Sequence, residues 1–168
     1  MIFCSGFSDS ILNIALTYQP NVDKLESLFK AFIPLKNGII YTKVPRGLII
    51  SIDETLFFNP SEARIKESSL YILDIIAETL KNLPNYCVIE DHTLDNDLSE
   101  SEFKENWELS MMRSSNIAEY LIECKKISPD KLFALGFGEY MPFKDNVSDD
   151  RGIDKRIDFV ILEYEAKR

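Results

Sequence analysis

The chain is short of the residues that carry most enzyme chemistry. Its 168 residues include one histidine (His92), one tryptophan (Trp107), three cysteines (Cys4, Cys87, Cys124) and six glycines. A lone histidine among scattered carboxylates lacks the ligand spacing of hydrolytic metal sites, and no cysteine stands in a Cys-x-x-Cys or Cys/His pattern. No serine or cysteine sits in a nucleophile-elbow context. Gly136-Phe137-Gly138 lacks the third glycine and the following helix of a dinucleotide loop, so two glycines at a strand end read as room for a bend. No metal or cofactor is expected, and the chain does not read as an enzyme. A hydrolase built on His92 and the nearby aspartates fails for want of a nucleophile-and-base pair.

Positive charge is also in deficit. Nineteen Lys+Arg against 28 Asp+Glu give a net charge of −9, a field that repels phosphate backbones and anionic lipids, so nucleic acid is disfavoured as a partner. Long hydrophobic runs are missing. The stretch Ile11-Leu12-Asn13-Ile14-Ala15-Leu16 is too short to cross a bilayer, and the first basic residue is Lys24, too late for the charged start of a secretion signal. The chain as given is expected to carry no membrane anchor.

What is present is an ordinary globular composition, 45% hydrophobic and 28% charged, enough for one domain with an accessory segment. Residues 1–20 show no strong period and read as a loosely held arm. Val22, Leu25, Leu28, Phe29 and Phe32 recur at helical spacing, predicting a short amphipathic helix that Pro34 stops. Two β-rich runs, Gly38 to Val44 and Leu48 to Asp53, flank Pro45-Arg46-Gly47, which supplies one fixed and one permissive φ and predicts a hairpin. Leu70, Leu73, Ile76, Ala77, Leu80 and Leu83 form one stripe of a helix over about 67–82, ended by Pro84. Strands are predicted at Tyr86 to Glu90, Leu132 to Phe137 and Arg156 to Tyr164, with a second long helix over about 104–125. Two helices with one apolar face each can cover one side of a single sheet, so the expected fold is α+β, a two-layer sandwich.

Arg113 stands out on physical grounds. Leu109, Met112, Ile117, Tyr120, Leu121 and Cys124 span about half of the second helix, and Arg113 falls near the middle of that arc. A guanidinium there needs an anionic partner, because removing it from water costs several kcal/mol. One reading is an internal ion pair with Asp91, Asp95 or Asp154. The sharper reading is a clamp for a ligand carboxylate. His92, at a strand end beside Asp91 and Asp95, reads as a hydrogen-bonded structural histidine, and Trp107 as a core or rim packing residue.

Several separate motifs then line up in one order. They are Arg46-Gly47-Leu48-Ile49-Ile50-Ser51-Ile52, Leu56-Phe57-Phe58, Ser61-Glu62-Ala63, Glu90-Asp91-His92-Thr93, Asn106-Trp107-Glu108-Leu109-Ser110-Met111-Met112-Arg113, Leu135 to Pro142 with Asn146, and Asp150-Arg151-Gly152-Ile153-Asp154-Lys155-Arg156-Ile157. From Gly47 to Leu162 the chain resembles the OmpA-like peptidoglycan-binding domain, and within it the form found in flagellar motor stator proteins of the MotB kind. The resemblance implies a βαβαβ core with helices on one face of a mixed sheet, over 47–168, preceded by an arm, helix and lead-in strand over 1–46. It implies non-catalytic binding of the peptidoglycan stem peptide in the periplasm, by a protein tethered to the inner membrane through a segment absent here. A homodimer, and flagellar stator or other envelope proteins, are the implied partners.

By the same resemblance, ligand-binding candidates are Arg113 and Leu109 of the Leu-Ser-x-x-Arg motif, His92 and Thr93, and Arg151 and Arg156 of the closing run. The family's ligand-binding aspartate falls on Leu94, so Asp95 is the substitute after a small loop shift. Asp91 and Asp150 stand where glycines are usual, and Asp154 and Lys155 replace an asparagine and an arginine. These departures leave open a second outcome, a scaffold or dimerisation module of the same fold with lost or altered wall binding.

Overall fold

A computed structural model describes residues 26–27, 29–31, 38–93, 98, 101–140 and 155–165. Residues 26–27 and 29–31 are helical, where the spacing predicts the first helix, and Phe29 is fully buried in the core. The predicted arm over 1–20 lies outside the described residues.

The hairpin forms as expected. Strand β1 (Ile39–Val44) pairs antiparallel with β2 (Gly47–Asp53) around Pro45-Arg46. Gly47 is required at the turn. Its φ is +142°, and a Cβ there would lie 2.0 Å from the carbonyl oxygen of Ile161 on the neighbouring strand. A 3-10 turn over Glu54–Leu56, unforeseen in the sequence, follows β2 and is capped by Asp53, whose carboxylate accepts from the Thr55 amide.

Helix α1 (Leu70–Lys81) follows a 3-10 turn over Glu67–Ser69, and it buries Ile72, Leu73, Ile76, Ala77 and Leu80. Lys131 closes its far end by donating to the carbonyl of Leu80 at 3.1 Å and to that of Leu83, complementing the negative helix terminus. Strand β3 (Asn85–His92) runs two residues further than the sequence pattern indicates, so Asp91 and His92 sit within the sheet. Helix α2 (Asn106–Glu123) begins with reciprocal capping between Glu105 and Glu108 and buries Leu109, Ser110, Arg113, Ser114, Ile117, Tyr120 and Leu121. Strands β4 (Leu132–Gly136) and β5 (Arg156–Glu165) complete the sheet.

The strand order is β1-β2-β5-β3-β4, with only the β3–β4 pair parallel. Both helices cover one face. Their apolar stripes meet Leu48, Ile50 and Ile52 of β2, Cys87 and Ile89 of β3, and Ile157, Phe159 and Ile161 of β5 in one core. The fold is the α+β two-layer sandwich that the sequence predicts. Side chains alternate across a strand, so Asp91, which meets Ser110 of α2, faces the helices, whereas Glu90 and His92 face away.

Gly138, just past β4, adopts a φ of +55° in a turn, as the bend reading expects, whereas Gly136 at the end of β4 serves closeness. At Gly136 a Cβ would stand 2.2 Å from the backbone nitrogen of Met111, so β4 and α2 touch backbone to backbone. Gly136→Ala should force the two apart and lower stability by about 1–3 kcal/mol or more, seen as a reduced urea midpoint in circular dichroism.

Candidate ligand-binding site

Arg113 is fully buried, and the chain itself surrounds its guanidinium. Nη1 donates to the Glu54 carboxylate at 3.0 Å and to the Thr93 hydroxyl at 2.9 Å. Nε donates to the Glu62 carbonyl at 2.8 Å, and Nη2 to the Asn59 carbonyl at 3.0 Å. The Phe58 ring lies against it, 5.0 Å from the guanidinium carbon. The required anion is therefore present among the described residues, in a residue the sequence reading did not name; of the three anticipated aspartates, Asp95 and Asp154 lie outside the described residues. Glu54 supplies it from the 3-10 turn after β2.

That arrangement ties three elements together. Arg113 reaches from α2 to the loop 59–62, to the end of β3 at Thr93 and to the turn at Glu54. The same loop is held by Asn116, which donates to the Ala63 carbonyl at 2.8 Å, and by Ser101, which donates to the Ser61 carbonyl at 2.8 Å. Ser61 itself adopts a φ of +58°, an uncommon left-handed conformation for a residue with a side chain.

A second carboxyl group shares this interior. Asp91 is fully buried, and its Oδ1 lies 2.5 Å from the Thr93 hydroxyl and 3.0 Å from that of Ser110, while Oδ2 has no hydrogen-bond partner. The Thr93 hydroxyl also stands 2.7 Å from Glu54. One hydroxyl proton cannot serve two carboxylates, so a proton on Asp91 completes the network: Asp91 donates to Thr93, and Thr93 donates to Glu54. The electrostatics agree. Burial lifts the Asp91 carboxyl from 3.8 to about 8, aided by the Glu54 charge and opposed by Thr93, Arg113 and Ser110. Among the described residues, this interior then holds one guanidinium, one carboxylate and one neutral acid.

The remaining sequence candidates lie elsewhere. Leu109 is fully buried. His92 and Arg156, cross-strand neighbours on β3 and β5, face the opposite side of the sheet from Arg113. There His92 stacks on Phe137 at 5.1 Å, with Nε2 3.4 Å from Asp158, and Arg156 donates to Asp158 at 3.0 Å. Burial raises the affinity of Asp158 for a proton, but contacts with His92, Arg156 and Ser51 outweigh it and hold the carboxyl below its usual range. Arg46, from the β1–β2 turn, grips Glu90 with both terminal nitrogens at 2.7 and 2.8 Å. Asp95 and Arg151, like Leu94, Asp150 and Asp154, lie outside the described residues. The sheet thus places the described candidates on its two faces, Arg113, Thr93 and Leu109 on the helix side and His92 and Arg156 on the other.

Glu90, His92 and Asp158 each offer a ligand atom within 4.8 Å of the others. Two guanidinium groups already balance these two carboxylates. A divalent cation would have to displace Arg46 and then sit beside Arg156, so the cluster is built as a salt-bridged polar face rather than as a cation cage.

With this geometry in place, comparison with known proteins is decisive. The OmpA family pattern matches residues 57–156. The chain belongs to the OmpA family. Among OmpA proteins it is similar to those of the MotB kind. It is 30% identical over 149 residues to Motility protein B of Bacillus subtilis, covering 86% of this chain and 57% of that protein. It is 29% identical over 128 residues to the uncharacterized protein YtxE of the same organism, covering 76% and 53%. The chain thus spans little more than half the length of these relatives. Its fold matches that of a putative MotB-like protein from Desulfovibrio vulgaris (TM-score 0.72, 22% identity, 86% of this chain and 90% of that one). It also matches the periplasmic domain of Helicobacter pylori MotB (TM-score 0.65, 21% identity, 76% and 83%).

Two outcomes follow from the Arg113 network. Glu54→Ala, which takes a carboxylate away from the buried guanidinium, should cost about 3–5 kcal/mol, and the double variant Glu54→Leu/Arg113→Met should cost clearly less than the sum of its single changes in a double-mutant cycle of urea unfolding. Asp91 keeps its proton in the folded state up to about 8 but loses it near 3.8 when unfolded. Stability therefore falls as pH rises through that window, by up to about 1.4 kcal/mol per pH unit, and levels off above it. Asp91→Asn should flatten this slope in urea unfolding measured at a series of pH values.

Proposed function

We propose that this is the wall-facing, non-catalytic domain of a MotB-like envelope protein, working in the periplasm and holding the peptidoglycan stem peptide. Support comes from OmpA family membership combined with the position of Arg113, the arginine of the Leu-Ser-x-x-Arg motif, at the meeting point of α2, β3 and the loop 59–62. Because Glu54 already balances its charge, a stem-peptide carboxylate must take the place of Glu54. Charge-assisted hydrogen bonds of roughly 1.5–3 kcal/mol each would be both broken and formed, so the net affinity is micromolar or weaker. Among the described residues no helix is long and apolar enough to cross a membrane. Tethering to the inner membrane, and any contact with a flagellar stator, would fall to sequence other than this domain.

The closed Arg113–Glu54 pair favours a second reading, a scaffold in which the internal carboxylate has permanently replaced the ligand. Pelleting with purified sacculi separates the two. On the binding reading, wild type pellets weakly, Glu54→Gln pellets more strongly because the competing charge is gone, and Arg113→Lys pellets less. Pelleting is scored as the excess over a control without sacculi, so aggregation of a destabilised variant does not count as binding. If wild type and Glu54→Gln both remain in the supernatant, the scaffold reading stands and wall binding through Arg113 is refuted.

A further inference from the structure

The chain holds three cysteines, and they are not in one chemical state. Cys87, on β3, is a free thiol in the core, and burial pushes it up to about 12, so it yields little of the thiolate that disulfide exchange needs. Cys124 is disulfide-bonded. It caps the C-terminal end of α2, partly buried, and its amide donates to the Tyr120 carbonyl at 2.9 Å. That helix end is a fixed point. The Tyr120 hydroxyl donates to Asp74 of α1 at 2.6 Å, Lys125 pairs with the same carboxylate at 2.7 Å, and the Ile127 amide closes the turn on the Leu121 carbonyl at 3.0 Å.

With Cys87 free, three cysteines leave Cys124 a single partner within the chain. We propose that Cys4 and Cys124 form a disulfide that staples the N-terminal arm to the end of α2. Cys4 lies outside the described residues; the bonded state of Cys124 and the cysteine count identify it. The bond forms by exchange with a small-molecule disulfide such as oxidised glutathione. One thiolate attacks the oxidant's S–S bond and releases a first thiol, and the second thiolate attacks the mixed disulfide and releases another. Two protons and two electrons thus pass from the two cysteines to the oxidant, which becomes two thiols. The periplasm, in which the proposed function places the domain, is an oxidising compartment where such bonds persist. The link closes a loop through the hairpin, α1, β3 and α2, and a bond between distant positions restricts the unfolded chain more than a local one does. Tension applied ahead of Cys4 would enter the domain through α2, the helix that carries Arg113, rather than through the edge strand β1. Cys124 lies roughly three turns along α2 from Arg113, so the staple is independent of wall binding.

Thiol counting and peptide mapping of the chain, oxidised with glutathione and then desalted, test it. In denaturant, one thiol per chain, that of Cys87, should react before reduction and all three after it. Trypsin without reductant should yield one mass that joins residues 1–24 to residues 114–125, and this mass should split on reduction. Dithiothreitol should lower the urea midpoint of wild type to that of Cys4→Ser and move Cys4→Ser far less, which separates loss of the link from any effect of the substitution itself. Three reactive thiols before reduction, glutathione adducts or a Cys124–Cys124 link between two chains in place of the joined mass, or a wild-type midpoint that dithiothreitol does not lower, overturns the proposal.

Discussion

A positive charge buried against an apolar helix face must be neutralised by something, and in this domain most of the upper half of the sandwich is arranged to do so. Arg113 draws Glu54, Thr93 and the loop 59–62 around it, and that convergence positions the ends of β2 and β3 relative to α2. The arrangement conserves charge as well as geometry. Two acids compete for one guanidinium through a single threonine hydroxyl, and the conflict is resolved by keeping Asp91 neutral. A site arranged in this way is stiff, because altering any member leaves another buried group without its counterpart.

The sheet also divides the polar chemistry of the domain. Odd-numbered positions of β3 and β5 feed the helix-covered core, and even-numbered positions feed the salt-bridged face made by Arg46, Glu90, His92, Arg156 and Asp158. Residues that are near neighbours in sequence, such as Asp91 and His92, therefore belong to different environments. Strand alternation, rather than distance along the chain, decides which residues act together.

Much of the fold was legible in advance. The stripes of α1 and α2 and the hairpin around Pro45-Arg46-Gly47 depend on local periodicity and turn chemistry, which a sequence displays directly. The apolar arc around Arg113 likewise foretold a buried guanidinium. Its contact with Glu54 was not foretold, because that residue lies 59 positions away in a 3-10 turn that has no periodicity to announce it. The extension of β3 through His92 was missed for a related reason: the polar cluster Asp91-His92-Thr93 reads as the end of the strand, yet each side chain finds a charged or hydroxyl partner once the sheet forms. Gly136 was read as room for a bend because its constraint, the backbone of Met111, is a tertiary contact invisible along the chain.

The position of β5 has a consequence for the timing of assembly. The last strand in the chain is also a central one, inserted between β2 and β3 and hydrogen-bonded to both. During synthesis or export, the hairpin at one end and the β3–α2–β4 unit at the other emerge first, with no covalently adjacent strand to join them. Their facing edges remain open until the final segment arrives, so maturation depends on long-range closure and will be slow compared with a fold built from sequential neighbours.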